Sequence, residues 1–410
     1  MVATLLLSSC QTHFVGGWLP WFQTSANRAT ELSTIGAASV LFNEVSLFWY
    51  GARADGTITP NGNVAALDPT AAAVRAQGLL VIPTVVDGNG PGVMRAILLD
   101  PTQRASHEDK IVALVNSKNY DGVDLDYETF AFGDHLSPTG DPAAKAAWAA
   151  AKAAWIAFVT ELAAKLHNNA TPNPAPKLLS VTVPATWNFL GITRGYPFYS
   201  QQEIGAVVDR LRLMVYDWSV GSPGPIAPMS WDNMVIDYST KVAGVPPSKL
   251  QLGVPAYGRH WATQLRPSEV CPDGAVRRES LTMKAAPALA AAHGAPIVRD
   301  VSGELTFTWD QVVTGPRTTP IPPPIVPIVG RPAPMVDAAG DSSGLQPAQR
   351  LAPPSTFVTC TVRHIAFYPD AASVKQRADA AMLAGWHGIF IWALGYETTD
   401  TYQQLANVGP

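Results

Sequence analysis

Short hydrophobic segments recur along the chain, separated by segments of mixed polarity. The clearest are rich in β-branched and aromatic residues, a composition typical of strands. These eight segments cover residues 14–22, 44–50, 79–86, 122–128, 178–186, 210–218, 250–258 and 388–396. Their nearly continuous hydrophobicity indicates strands that are buried on both faces, as in a parallel sheet.

Helical patterns lie between many of these segments. The clearest runs from Pro142 to His167, where large apolar side chains such as Trp155 and Leu162 recur at helical spacing. Asp141 is suited to cap this helix, because its carboxylate can accept a hydrogen bond from the first turn. Strands that alternate with helices predict the α/β class, here a (β/α)8 TIM barrel with its active site at the carboxyl ends of the strands.

The connection after the seventh strand is too long for a simple barrel. We predict a small α+β insertion at residues 261–368, with a helix at 281–293 and strands within 296–309 and 356–368. Residues 316–354 are rich in Pro, Gly, Ala and Ser, which predicts a mobile loop. The remaining predicted parts are an N-terminal segment, 1–13, and a catalytic barrel made of 14–260 and 369–410.

Composition and charge narrow the class of protein. The 410 residues are 47% hydrophobic and 15% charged, enough apolar material for a large core. The net charge is −4 and no run of Lys or Arg stands out, so we expect no nucleic-acid partner. Nothing in the pattern indicates an oligomer, and we expect a monomer.

The N-terminal residues suggest export. Leu5–Leu7 followed by small residues is similar to the end of a signal peptide, and "LSSC" resembles a bacterial lipobox in which Cys10 is lipidated. We therefore expect a secreted or cell-surface bacterial protein, anchored to the membrane if Cys10 carries a lipid. The alternative is an ordinary cytosolic N-terminus.

The cysteines agree with export. If Cys10 is lipidated, Cys271 and Cys360 remain as an even pair that could form a disulfide bond across the insertion. The alternative is a pair of buried free thiols.

One strand is unusually acidic. "DGVDLDYE", residues 121–128, contains four carboxylates. Because side chains alternate along a strand, Asp124, Asp126 and Glu128 share one face, which we place inside the barrel. Three inward carboxylates cannot all ionise cheaply, so at least one pKa must rise. A carboxylic acid that stays protonated near neutral pH can serve as a general acid.

Other interpretations of this strand are open. Carboxylates on a strand can hold Mg²⁺ or Ca²⁺, although no His cluster accompanies these. A solvated edge strand is disfavoured by the apolar residues around the acids, and a chance pattern of this kind is rare.

The acidic strand resembles the D-x-x-D-x-D-x-E signature of glycoside hydrolase family 18, the chitinase-type barrels. Further family motifs are similar to "LMVYD" (213–217), "LGVPAYGR" (252–259) and "IWALGYE" (391–397), on the sixth, seventh and eighth predicted strands. The resemblance is closest to the bacterial cell-wall and spore-germination branch. On the third strand, "PTVVDGNG" (83–90) replaces the family's S-x-G-G, which argues against classical chitin more than against catalysis.

The resemblance implies a role for each matching residue. Glu128 would be the general acid, Asp126 would orient the substrate's 2-acetamido group, and Asp124 would support Asp126. Tyr216 would donate a hydrogen bond to the acetamide. The residues expected to bind substrate are Trp392 under the sugar, Asp217, Met214, Tyr257, Arg259 and Trp18, with Glu397 as a weaker candidate. Those expected to be structural are Asp121, Gly122, Cys271 and Cys360.

The same resemblance implies a retaining, substrate-assisted hydrolase of β-linked N-acetylglucosamine-containing glycans, either peptidoglycan-type or chito-oligosaccharide. No cofactor and no metal would be needed. The alternative is a non-catalytic glycan-binding protein on the same barrel, since fold does not fix function. A purely structural barrel would leave the inward acids unexplained.

Overall fold

A computed structural model describes residues 14–38, 41–132, 137–168, 176–318 and 356–407. Cys10 and the N-terminal segment 1–13 lie outside the described residues, and so does the Pro-rich segment from residue 319 to 354. Lipidation and the mobile loop therefore stay predictions. Pro316 and Arg317, the first residues of the predicted loop, still belong to a strand.

The described strands match the predicted segments closely. They are β1 (Phe14–Pro20), β2 (Phe42–Ala52), β3 (Ile58–Pro60), β4 (Leu80–Val81), β5 (Thr84–Val86), β6 (Gly122–Asp126), β7 (Leu178–Pro184), β8 (Thr186–Phe189), β9 (Ile192–Gly195), β10 (Arg210–Met214), β11 (Leu250–Pro255), β12 (Tyr257–Gln264), β13 (Arg277–Thr282), β14 (Val298–Arg299), β15 (Leu305–Arg317), β16 (Thr356–Tyr368) and β17 (Gly388–Trp392). The third predicted strand is split into β4 and β5, on either side of Ile82 and Pro83.

The helices lie mainly between the barrel strands. They are α1 (Ser25–Ala37), α2 (Leu67–Arg75), α3 (Val93–Leu99), α4 (Pro101–Ser117), α5 (Thr129–Phe132), α6 (Pro142–His167), α7 (Gln201–Val207), α8 (Met229–Asp237), α9 (Ala286–Ala292), α10 (Ala371–Leu383) and α11 (Asp400–Leu405). The predicted insertion helix at 281–293 is shorter than expected, because residues up to Thr282 belong to β13.

Parallel pairing closes the large sheet into a barrel. The strand order is β1, β17, β11, β10, β7, β6, β5 and β2, and β1 also pairs with β2. The predicted (β/α)8 barrel is confirmed. β3 extends the sheet beyond β2 as an antiparallel strand, and β8 and β9 form a separate hairpin.

The long helix α6 begins and ends where the sequence predicts. Asp141 accepts a hydrogen bond from the backbone N–H of Ala144 at 2.8 Å. Trp155, Phe158 and Leu162 are fully buried in the main hydrophobic core. By length and composition α6 could also cross a membrane, but this buried apolar face is what a core helix requires.

The start of β6 is tied to both neighbouring strands. The backbone N–H of Val81 donates to the Asp121 carboxylate at 2.8 Å. A Cβ at Gly122 would lie 2.2 Å from the carbonyl oxygen of Leu178, so only glycine fits this close approach. Both residues thus hold the acidic strand in register, with Thr84 opposite Asp124.

The chain divides into two compact units. The first contains the barrel together with Ser280–Phe307, and the second consists of His260–Glu279 and Thr308–Ile365. Residues 280–307 thus group with the barrel and not with the predicted insertion, because the backbone N–H of Met283 donates to Ala256 and the Glu304 carboxylate accepts from the backbone of residues 226 and 227. In the second unit, Cys271 and Cys360 form the disulfide bond that the sequence analysis anticipated.

Candidate active site

The inward face of β6 begins with Asp124, whose carboxylate is surrounded by donors. Thr84 and Thr182 donate from the flanking strands at 2.9 and 3.0 Å. The indole N–H of Trp18 donates at 3.1 Å, and the guanidinium of Arg212 lies 3.1 Å away. All four partners come from barrel strands, so Asp124 is a fixed, ion-paired support at the centre of the barrel.

Trp18 lies below the groove that it was predicted to line. Its side chain is 1% exposed and points into the barrel from β1, where it packs edge-on against Phe390 and Trp392 at 4.4 and 5.8 Å between ring centroids. Its contribution in this structure is the hydrogen bond to Asp124. Alternation along β1 decides this, because the same strand presents its next residue, Leu19, to the main core.

Asp126 lies two residues further along β6 and is also buried. Among the described residues, its Oδ1 atom has no hydrogen-bond partner. Burial raises its pKa well above the usual range, and the charges of Glu128, Asp124 and Asp87 raise it further. A buried acceptor without a donor is costly, which makes this oxygen a natural site for a donor from a ligand.

Glu128 follows the end of β6 and is half-buried. Burial raises the pKa of its carboxyl to about 7, and the nearby charges of Asp87 and Asp217 add to the effect. Near neutral pH a large share of Glu128 is therefore protonated, as a general acid requires. The raised pKa was predicted, but its cause differs: burial comes first, and the charges that add to it belong to Asp87 and Asp217 and not to the other acids of β6.

Asp87 is a functional candidate that the sequence analysis did not assign. It directly follows β5, is 1% exposed, and accepts hydrogen bonds from the backbone of residues 128–130. The available signal was an acidic residue just after the third strand, within the segment 83–90 that departs from the family motif. Sequence alone could not show that its carboxylate turns towards β6.

Three of the predicted substrate-binding residues, Asp217, Tyr257 and Arg259, come together beside Tyr216, after the end of β10 and at the start of β12. Asp217 adopts the left-handed backbone conformation, with φ of 63°. Its carboxylate accepts hydrogen bonds from the Tyr257 hydroxyl and from Arg259, the latter at 2.6 Å. Tyr216 packs edge-on against Tyr257 at 6.1 Å, and Met214 is half-buried at the end of β10.

The Tyr216 phenol can act as a hydrogen-bond donor at any physiological pH. Burial raises its pKa well above the usual range, and the neighbouring Tyr257, Asp126, Glu128 and Asp217 contribute further. The phenol therefore stays protonated near a carboxylate-rich site.

Trp392 ends β17 and is half-buried. It packs edge-on against Phe48 at 4.7 Å, and its peptide bond to Ala393 is cis. Glu397 belongs to a different cluster, because its carboxylate accepts from the backbone of Gly395 at 2.9 Å and from Tyr402. Of the two residues of this motif considered for sugar binding, only Trp392 packs with the aromatic residues of the barrel interior.

The metal interpretation of the acidic strand finds no support in the geometry. Within the described ranges, no group of three or more His, Cys, Asp and Glu side chains is arranged to hold a metal ion. Asp124 is instead paired with Arg212, and Asp87 with backbone N–H groups.

Comparisons with known proteins show the family of this chain. The model of the family "Glycosyl hydrolases family 18" matches residues 89–397. YdhD of Bacillus subtilis (strain 168), whose name describes a sporulation-specific glycosylase, is 29% identical over 232 residues, which cover 56% of this chain and 49% of YdhD. This chain spans about half the length of the curated relatives it matches.

Solved structures share the fold. A chitinase from Chromobacterium violaceum ATCC 12472 superposes with a TM-score of 0.66 at 21% identity, covering 96% of this chain and 98% of that one. The spore cortex-lytic enzyme SleL of Bacillus cereus also gives a TM-score of 0.66, at 17% identity, covering 97% of this chain and 74% of that one. At these identities the likeness shows the barrel and its insertion.

Proposed function

Because this chain belongs to the glycosyl hydrolases family 18 and is a glycoside hydrolase, we propose that it cleaves β-linked N-acetylglucosamine-containing glycans with retention of configuration. The observation that carries the proposal is the buried Oδ1 atom of Asp126, which has no partner within the described residues and lies on a side chain that interacts with the nearby Glu128. An acetamide N–H on the substrate is a donor of the kind this oxygen lacks.

The first half of the reaction uses Glu128 as an acid. Its proton passes to the glycosidic oxygen while the bond from that oxygen to the anomeric carbon breaks. The acetamide oxygen forms the new bond to the anomeric carbon, which gives a cyclic oxazolinium ion. Asp126 accepts the acetamide N–H and balances the developing positive charge, and the Tyr216 hydroxyl donates to the acetamide oxygen.

The second half restores the enzyme. Glu128, now a carboxylate, takes a proton from water as the water oxygen attacks the anomeric carbon. The oxazolinium ring opens, the acetamide re-forms and Glu128 is protonated again. Two inversions at the anomeric carbon give net retention.

The surroundings of Glu128 favour the acetamide as the nucleophile. Retaining glycosidases of the usual kind place a second carboxylate about 5 Å from the acid. Asp87 and Asp217, whose charges raise the pKa of Glu128, both have other partners: Asp87 accepts from three backbone N–H groups, and Asp217 accepts from Tyr257 and Arg259. The third nearby carboxylate, Asp126, is the group that we assign to the acetamide N–H.

Two observations favour a peptidoglycan-type glycan over chitin. The segment 83–90 lacks the S-x-G-G pattern of chitinases. Among the relatives, YdhD is named for sporulation and SleL for lysis of the spore cortex. We therefore propose a cell-wall glycan as the substrate and chito-oligosaccharides as the second candidate.

We also propose that the protein acts outside the cytoplasm. The disulfide bond between Cys271 and Cys360 supports this, because such bonds persist in oxidising compartments. Mass spectrometry of an unreduced digest should find the two cysteines in one linked peptide pair. Two free thiols in protein purified from its native compartment would contradict the proposal.

Product analysis tests the reaction. The protein is incubated with N-acetylglucosamine oligomers and, separately, with purified peptidoglycan, and early products are followed by proton NMR. We expect the β-anomer first, and no cleavage of the same substrates after deacetylation. An α-anomer appearing first would identify an inverting enzyme with a different second carboxylate.

A further inference from the structure

Asp87 binds the chain segment that carries the catalytic acid. Its Oδ1 atom accepts hydrogen bonds from the backbone N–H groups of Glu128 and Thr129 at 2.9 and 2.8 Å. Its Oδ2 atom accepts from Phe130 at 2.7 Å. Both oxygens are thus committed to three consecutive residues, which start the short helix α5.

The register of β5 and β6 places Asp87 beside the segment that carries Glu128. Val86 pairs with Asp126 in the parallel register of β5 and β6, so the residue after Val86 lies beside the residues after Asp126. Asp87 is 1% exposed, so water does not compete for its oxygens. Hydrogen bonds to a charged acceptor are stronger than neutral ones, so together they hold the backbone at Glu128 firmly.

The charge of Asp87 also reaches the acid that it positions. After burial, Asp87 is the largest influence that raises the pKa of Glu128. The other charged or titratable groups that interact with Glu128 come from β6, the end of β10 and the segment after β9, and are Asp126, Asp217, Tyr196, Tyr199 and Tyr216.

We propose that Asp87 is a positioning residue for the catalytic acid: its carboxylate fixes the backbone of residues 128–130 so that Glu128 is presented to the glycosidic oxygen. This inference rests on the proposed role of Glu128. It also gives the segment 83–90 a function of its own, because the residue that holds the acid in place lies within the stretch that departs from the family motif.

Two variants test separately the shape and the charge of the Asp87 side chain. Asp87→Asn keeps the shape but loses the charge and one acceptor, so kcat should fall about 10–100-fold with little change in KM. Without the neighbouring charge, the pKa of Glu128 falls, so the alkaline limb of the kcat/KM profile should move to lower pH. Asp87→Glu keeps the charge but displaces it, so kcat should fall while the alkaline limb stays near that of the wild type.

The matched control is Asp232→Asn. Asp232 is a fully buried acid on α8 whose partner is Arg377, at 3.1 Å. This variant should alter the melting temperature without moving the alkaline limb. If Asp87→Asn keeps the wild-type kcat and the wild-type alkaline limb while Glu128→Gln is inactive, the proposed role of Asp87 is overturned and that of Glu128 is not. An active Glu128→Gln would instead overturn the proposed function.

Amide hydrogen exchange of the wild-type protein provides a test that needs no variant. The backbone N–H groups of Glu128, Thr129 and Phe130 should have high protection factors at pH 7, measured against their intrinsic exchange rates, and lower protection factors once Asp87 is protonated. Burial raises the pKa of Asp87 to about 6 although its three backbone donors lower it, so the change should occur around that pH. Fast exchange of all three amides at pH 7 would overturn the proposal even if neither variant folds.

Discussion

Two buried acidic clusters in the barrel unit have raised pKa values for the same reason but differ in how their oxygens are used. On β6, burial raises the pKa of Asp126 and Glu128. Beside α1, burial raises the pKa of Glu31 to about 8, and the neighbouring Glu397 adds to it. Yet only the cluster on β6 belongs to the proposed catalytic site.

The carboxyls of the second cluster find hydrogen-bond partners within the cluster. The Tyr402 hydroxyl lies 2.6 Å from Glu31 and also contacts Glu397, so both carboxyls share one polar partner. The remaining Glu397 oxygen accepts from the backbone of Gly395 at 2.9 Å. On β6, by contrast, Asp126 keeps an oxygen without a partner among the described residues. The raised pKa is common to both clusters, so the open oxygen of Asp126 beside Glu128 is what distinguishes the site on β6.

The largest expected effect is on turnover at Glu128. Glu128→Gln removes the transferable proton while keeping shape, so kcat should fall roughly 10²–10⁴-fold. The matched change in the other cluster, Glu397→Gln, should leave kcat within about threefold of the wild type. Steady-state assays on the substrate identified by product analysis decide this, and equal losses in both variants would erase the distinction between the clusters.

Asp126→Asn should separate activity from stability. The variant cannot balance the charge of the oxazolinium ion, so kcat should fall by about 10–10³-fold. The melting temperature should stay the same or rise, because the substitution removes a buried carboxyl that faces like charges. Assays combined with thermal melts check both parts. A large loss of stability would show that Asp126 is a structural residue.

Glu31 should control the pH dependence of stability. Its pKa is about 8 in the folded protein against an ordinary value of 4.5. Between these values the unfolded chain has lost the proton that the folded chain keeps, so stability falls as pH rises, by up to about 1.4 kcal/mol per pH unit. Glu31→Gln should flatten this decline. Urea unfolding at pH 5 and pH 8 measures it, and parallel declines would rule out Glu31 as the source.

The smallest effect is expected from Tyr402→Phe. Losing the shared hydroxyl leaves two buried carboxyls without their donor, which should destabilise the protein by about 1–3 kcal/mol. Turnover should not change. The free energy of unfolding and kcat are measured on the same preparation, and a drop in kcat with unchanged stability would connect this cluster to catalysis.

The local patterns predicted much of this molecule because they depend on neighbours in the chain. Helix α6 has its expected ends, since Asp141 and Pro142 act within one turn. The alternation along β6 placed Asp124 and Asp126 on one face, and Glu128 follows just beyond the end of the strand. Tyr127 stacks on Phe158 of α6 at 5.7 Å. The barrel followed from eight such strands in order.

Contacts between distant residues could not be predicted in the same way. Trp18 was expected at the groove surface but lies beneath it, because the barrel brings it within 3.1 Å of Asp124, 106 residues away. Glu397 follows a family motif but turns to Tyr402 and Glu31. Only the folded chain shows which partner each polar side chain finds.

The amino-acid pattern alone determined the alternating barrel, the inward acidic strand and the family resemblance, since each arises from spacing along the chain. Tertiary structure decided which carboxylates are satisfied and which are exposed to a ligand. It anchored Asp124 with donors from four strands, joined Asp87 to the backbone of Glu128, and left the Oδ1 atom of Asp126 without a hydrogen-bond partner in the described part of the chain. The physical reason is that burial and hydrogen-bond partners depend on strands far apart in sequence, and these terms set the pKa of each acid.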